Sequence, residues 1–261
     1  RFENIKIASL LRSSPHCLIW SNSSLLKDNI IKCINSSEFI ISASRDVSDM
    51  WIDMSKNRLI KFFRINVPIE EKKLIKFNFD KDKIYTFICI TGAVGPRKGI
   101  YMMINSIGKL MKKINKKGKV ILLGVCDDNT KKLIHKQISL FKGFLQVEMT
   151  GYRLSSVNLN CNRKKSYFIF CSYSENQSRA HLEALKYDLP ILINIKSISA
   201  ELFKEQISSN QIKLFCSSED LQAVIKNLIK SNKQNSKNIK NNADKNKECI
   251  TVNQVKKQLL R

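Results

Sequence analysis

Between residues 84 and 216 short apolar runs alternate with stretches whose apolar residues recur every three to four positions. Residues 84–91 form a continuous apolar run that ends at Gly92, as expected of a buried parallel strand covered on both faces. Ile100, Met103, Ile104, Ile107, Leu110, Met111 and Ile114 follow at helical spacing, the signature of an amphipathic helix. The alternation continues with strands predicted at 119–125, 144–150, 167–172, 189–194 and 212–216, and helices at 127–141, 178–187 and 220–230. Strands and helices in this rhythm specify an α/β fold with a doubly wound parallel sheet. Such sheets bind ligands at the carboxyl ends of their strands, where the strand order reverses. The loops after Thr91, Val125, Thr150, Ser172 and Asn194 are therefore the places to look for chemistry.

Upstream, 39–43 and 59–65 read as strands, with a polar helix start at Ser44-Arg45-Asp46. Asn66-Val67-Pro68 breaks the pattern, and the charged stretch 70–83 reads as a linker or irregular crossing. At the other end, 231–247 is rich in Lys, Asn and Ser and reads as a solvated helix or a disordered stretch. Apolar residues return in 250–260, a short terminal helix. There is no internal repeat.

The 261 residues suffice for one large domain or two modest ones, and a hydrophobic content of 43% supports a packed core. The chain opens on Arg1 rather than Met, which reads as a fragment or a processed product. Its formal net charge is +24. An anionic partner is one reading of that excess. The other is a compositional drift toward Lys, Asn and Ile that selects no partner. The eight cysteines form no C-x-x-C pair and no zinc-spaced cluster with histidine. Several lie in apolar runs, as Cys89 does in Phe87-Ile88-Cys89-Ile90, and read as small buried hydrophobes in a reducing compartment, the cytoplasm. No apolar run approaches the ~18–20 residues that span a bilayer.

Two of the strand-end loops carry candidate chemistry. The first is Gly92-Ala93-Val94-Gly95-Pro96-Arg97-Lys98-Gly99. Its cations and glycines sit where a strand meets a helix N-terminus, a place that favours an anion. It is neither a dinucleotide fingerprint nor a P-loop, and a plain turn with exposed cations fits as well. The second runs from Cys171 to Leu185 and holds Glu175 in the loop and Glu183 about one and a half turns into the helix. Two carboxylates so placed could accept hydrogen bonds from sugar hydroxyls around a diphosphate. They could equally be one glutamate serving the helix dipole and one solvated helix glutamate.

Both loops, in this order, resemble the retaining glycosyltransferases of family four, the "glycosyl transferases group 1", whose GT-B architecture packs two Rossmann-like domains. Lys98-Gly99 matches the family's K-G, and Thr150-Gly151-Tyr152 its middle strand end. Ser172, Glu175, Leu182-Glu183-Ala184 and Pro190 match its Glu-x7-Glu block in register, and Glu201 a later glutamate. The resemblance covers residues 37–230.

The resemblance implies a division into an incomplete C-terminal part of the acceptor domain (1–67), a linker (68–83), a nucleotide-sugar domain (84–230) and a Lys/Asn-rich tail (231–261). It implies that Lys98 binds the donor diphosphate and, with Glu175, forms the catalytic pair. Glu175 would hold the transferred sugar and Glu183 the ribose. Gly92, Arg97 and the amides of Asn176, Gln177 and Ser178 would line the phosphates and sugar, and Tyr152 and Arg153 the base. No metal or other cofactor is implied, since catalysis would be electrostatic. The partners implied are a nucleotide-sugar donor and a saccharide or lipid-linked acceptor of polysaccharide biosynthesis. Three departures stand out. Ala93 replaces the family's diphosphate-binding arginine, Asn176-Gln177-Ser178 replaces a glycine-rich turn, and Asp188 replaces a glycine.

A non-catalytic partner subunit or binding module of the same fold is the alternative that these departures motivate. Basic stretches such as Lys112-Lys113-Ile114-Asn115-Lys116-Lys117 suit peripheral contact with an anionic membrane, at its inner face, or are simply solvated. Nucleic-acid binding is disfavoured, because no aromatic stacking residues interleave the basic runs. His16, His135 and His181 read as structural or exposed.

Overall fold

A computed structural model describes residues 8–11, 24–42, 45–55, 59–64, 75–77, 84–151, 157–159, 162–173, 175, 178–197, 207 and 211–234. Its larger sheet holds six parallel strands, β5 (Tyr85–Ala93), β6 (Gly118–Val125), β7 (Leu145–Met149), β9 (Ser166–Phe170), β10 (Ile191–Asn194) and β11 (Ile212–Phe215). Their order is β11-β10-β9-β5-β6-β7. The chain starts in the middle with β5, moves outward through β6 and β7, returns to the other side of β5 with β9, and again moves outward. This is the doubly wound order of nucleotide-binding sheets, and its switch point lies between β5 and β9.

β5 alternates its side chains between two apolar layers. Phe87 and Cys89 enter one core, with Ile104, Ile107 and Met111 of α3 (Ile100–Lys113) and Leu221, Ile225 and Ile229 of α6 (Ser218–Gln234). Ile88 enters the other, with Phe168, Phe170 and the α5 (Arg179–Leu185) residues Ala184 and Leu185. A strand buried on both faces has no polar side to alternate with, which is why its sequence reads as one apolar run. Each large side chain so buried contributes about 1.5–3 kcal/mol of transfer free energy. α3 buries the stripe its periodicity predicts, and Ser106 and Ser218 join α3 to α6 through a 2.7 Å hydroxyl contact. α4 (Asp128–Ser139) starts on Asp127, whose carboxylate accepts from the Thr130 amide at 2.8 Å.

A second, three-stranded parallel sheet has the order β1-β2-β3. It comprises β1 (Ala8–Leu11), β2 (Phe39–Ser42) and β3 (Lys61–Arg64), with α1 (Ser24–Asn35) and α2 (Arg45–Met54) between them. Ile34, Ile40, Trp51 and Ile60 form its core. Nothing in the sequence had flagged β1 or α1. β1 is four residues long, and α1 carries its apolar residues among Lys and Asn.

Three further readings gain detail. The stretch 70–83 is described at residues 75–77. It contains β4 (Ile75–Phe77), which pairs in parallel with β8 (Val157–Leu159), a strand the sequence also concealed. Strands of three residues are too short for alternation to register. The last helix runs to Gln234, four residues into the Lys/Asn/Ser-rich stretch, because Ser231–Gln234 prolong an amphipathic helix whose apolar face is already docked. Finally, Cys89 and Cys171 are buried but Cys33 and Cys216 are exposed. The terminal helix expected at 250–260, and His16, lie outside the described residues.

Candidate active site

The β5–β9 switch point is flanked by the two loops the sequence singled out. β5 runs on through Thr91 to Ala93, with a register shift against β6 between Ile90 and Ala93. Thr91 Oγ1 donates to the Ala93 carbonyl at 2.8 Å, and the Val94 amide donates to the Val125 carbonyl at 2.8 Å. The chain does not pass straight into the helix. Pro96–Lys98 form a 3-10 turn, closed by the Lys98 amide on the Gly95 carbonyl (3.0 Å) and the Gly99 amide on the Pro96 carbonyl (2.9 Å). Gly99 then starts α3 at φ +65°, and a Cβ there would lie 2.2 Å from the Cys171 carbonyl oxygen. No other residue fits that position. The contact brings the start of α3 against the end of β9.

The second loop is held against the first by main chain. The Tyr173 amide donates to the Arg97 carbonyl at 3.1 Å. Two residues on, Glu175 Oε1 accepts a hydrogen bond from Lys98 Nζ, and the Arg97 guanidinium lies 3.7 Å from the same oxygen. The Glu175 and Lys98 side chains are 12% and 17% exposed, so the pair is largely out of water. Burial by itself would push the Glu175 carboxyl up. Lys98 beside it, with a Ser172 hydrogen bond and the Arg97 charge, outweighs burial and holds it below the usual carboxylate value. Three charged groups, net positive by one, thus meet at the carboxyl end of the central strands.

The family model for glycosyl transferases group 1 matches residues 71–246. The chain belongs to this family. The fold of this group 1 chain is also that of solved GT-B glycosyltransferases. Anabaena HepE, solved in complex with UDP-glucose, is 14% identical with a TM-score of 0.64, over 88% of this chain and 64% of its own. WaaG, a glycosyltransferase involved in lipopolysaccharide biosynthesis, is 11% identical with a TM-score of 0.66, over 86% and 66%. Sucrose-phosphate synthase from Thermosynechococcus elongatus is 13% identical with a TM-score of 0.65, over 88% and 60%. The chain therefore spans less than two thirds of each of these proteins. No curated protein matches it by sequence.

The remaining candidate residues of the group 1 chain divide as follows. Glu183 sits on the second turn of α5, partly buried, with Arg179 at 3.8 Å. Ser178 is the N-cap residue of α5 and is buried, but its side chain makes no capping bond. Gly92 is exposed, with open space where a Cβ would stand. Gly151 follows β7 at φ +70°, next to Thr150, whose amide donates to the Leu122 carbonyl at 3.1 Å. Tyr152, Arg153, Asn176, Gln177 and Glu201 lie outside the described residues. Among the described residues no three His, Cys, Asp or Glu side chains gather as metal ligands.

His181 is the residue that sequence reasoning undervalued. It is 1% exposed, and its ring meets Phe170 edge-on at a centroid distance of 4.4 Å. Burial lowers its pKa to about 4, with Glu175 acting to raise it and Lys98 to lower it. One signal was present in the sequence. His181, Ala184 and Leu185 stand at i, i+3 and i+4, the spacing of a single buried helix face.

Proposed function

We propose that this chain carries the donor site of a retaining glycosyltransferase, which moves a sugar from a nucleotide-sugar to a saccharide or lipid-linked acceptor. The observation that carries the reading is the Lys98–Glu175 pair with Arg97 at the switch point of a doubly wound sheet. The presence of UDP-glucose in HepE supports a nucleotide-sugar as the donor. Lys98 and Arg97 meet the charge of the diphosphate near the first amides of α3. Glu175 accepts from hydroxyls of the transferred sugar, and Glu183, one turn inside α5, from the ribose. Gly92 leaves room for the phosphates and Ser178 lies on the sugar side; the family resemblance assigns Asn176 and Gln177 to the phosphates and sugar, and Tyr152 and Arg153 to the base.

In the transfer, the bond from the anomeric carbon to the diphosphate breaks and one to the acceptor hydroxyl oxygen forms. The acceptor proton leaves with the diphosphate. Negative charge grows on the departing phosphate oxygen, and cations already fixed in a site shielded from water stabilise it most at that moment. This assigns the charge stabilisation to side chains, without a metal.

Titration calorimetry with UDP, GDP and ADP tests the reading on the wild type, Lys98→Ala and Glu183→Ala. Saturable binding of one nucleotide, lost in both variants, is expected. Failure of all three to bind would overturn it. Ala93 favours a second reading. It is exposed at the end of β5 and brings no charge where the family has an arginine, as a non-catalytic partner subunit or binding protein would allow. Donor hydrolysis or transfer by the protein would exclude that alternative.

A further inference from the structure

The six-stranded sheet distributes its acids unequally between its two ends. All its strands are parallel, so every segment that precedes a strand lies at one end and every segment that follows a strand lies at the other. The carboxyl end is mixed, with Asp127, Asp128, Glu175, Glu183, Glu219 and Asp220 following strands or occupying the first turns of the next helix beside Arg97, Lys98, Lys131, Lys132 and Arg179. The amino end is cationic. Lys112 and Lys113 close α3, Lys116 and Lys117 lead into β6, Lys142 leads into β7, and Lys164 precedes β9; all are exposed. Asp188 is the acid at this end among the described residues, and it lies 3.7 Å from Arg163, which precedes β9 beside Lys164. The macrodipole of α3 accounts for cations in its last turn, but not for Lys116, Lys117 and Lys142 in the loops beyond the helices.

We propose that the amino end of this sheet is a docking face for an anionic lipid bilayer. Lysines from three segments, the run 112–117 with Lys142 and Lys164, come together on it, so the fold adds two further segments to one basic run. Leu140, which caps α4 two residues before Lys142, is 67% exposed and offers an apolar group to the headgroup boundary. Of the aromatic rings at this end among the described residues, Tyr85, Phe141 and Tyr187 are buried, Tyr85 with the Lys165 ammonium 5.8 Å from its ring centroid, and Phe144 packs against the core, so none stands free as a platform for a stacked base. Docking by this end leaves the β5–β9 crevice, at the opposite end of the strands, open to solution. The inference stands independently of the sugar-transfer reading.

Flotation of the full chain with vesicles of phosphatidylcholine, alone or mixed with phosphatidylglycerol, tests it. Binding is expected only to the mixed vesicles and is lost on adding salt. Lys116→Gln/Lys117→Gln/Lys142→Gln should weaken it roughly 100-fold, about fivefold per lysine removed near an anionic surface. Lys131→Gln/Lys132→Gln, at the carboxyl end, should leave it unchanged. Far-ultraviolet circular dichroism and thermal melts verify that both variants are folded. Absence of binding to the mixed vesicles, or equal losses in the two variants, would overturn the proposal. Tighter binding to duplex DNA than to the vesicles, lost in the triple variant, would reassign the face to nucleic acid.

Discussion

The amide of Tyr173 donates to the carbonyl of Arg97 at 3.1 Å, tying the loop after β9 to the loop after β5 by main chain alone. Lys98 is the next residue on one side, and Glu175 lies two residues on from Tyr173. The meeting of the two side chains is thus prepared by the backbone.

Because burial opposes the charge on Glu175 and Lys98 leads the groups that favour it, Lys98→Met should raise the Glu175 titration point. In the wild type the carboxyl titrates below its ordinary value, so the pair is complete at neutral pH and is lost as pH falls through that lowered point. Carboxyl-carbon NMR of selectively labelled protein reads the shift directly. An unchanged Glu175 titration in Lys98→Met would refute the assigned cause.

Gly99 and Gly92 should respond oppositely to alanine. Gly99→Ala combines a left-handed backbone with a Cβ 2.2 Å from the Cys171 oxygen, a cost of about 3 kcal/mol or more. Gly92→Ala enters open space and should stay within about 0.5 kcal/mol of the wild type. Urea unfolding measures both.

Ala93→Arg tests whether the site lacks a cation. The position is exposed at the end of β5, so an arginine can reach the crevice without displacing the core. Nucleoside diphosphate binding should tighten about tenfold if one charge-assisted hydrogen bond forms. Unaltered affinity would place the diphosphate elsewhere.

His181 is held neutral, with a pKa of about 4 against the ordinary 6.5. The unfolded chain takes up the proton first as pH falls. The stability that the neutral imidazole supports is therefore complete above about pH 6.5 and is lost progressively from there toward pH 4. His181→Gln should flatten the dependence of the melting temperature on pH across that window. Equal slopes in the two proteins would assign the acid sensitivity to other groups.

The fold was legible wherever an element was long enough to carry a period. β5 and α3 announce themselves because each buries a complete pattern against the core. β4 and β8 do not, since three residues in charged surroundings have no period, and their pairing joins segments about eighty residues apart. In the site, both loops could be located by the strands they follow, Lys98 and Glu175 stood out within them, and the resemblance supplied their roles. Spacing alone could not separate a buried, cation-paired Glu175 from a solvated one, because the distinction depends on how β9 settles beside β5. The 3-10 turn at Pro96 and the depth of His181 depend on that packing as well.

The β5–β9 seam joins two halves of the sheet, β5-β6-β7 and β9-β10-β11. Its register runs from Thr86–Ser166 to Ile88–Phe168, whereas β5 pairs with β6 from Tyr85–Gly118 through Ile90–Leu123. The site bridges this shorter seam with residues 77 positions apart in sequence. A nucleotide seated there acts as a strap across the two halves. It should therefore slow amide exchange in β9, far beyond the loops it touches, because opening the seam would require releasing the ligand first.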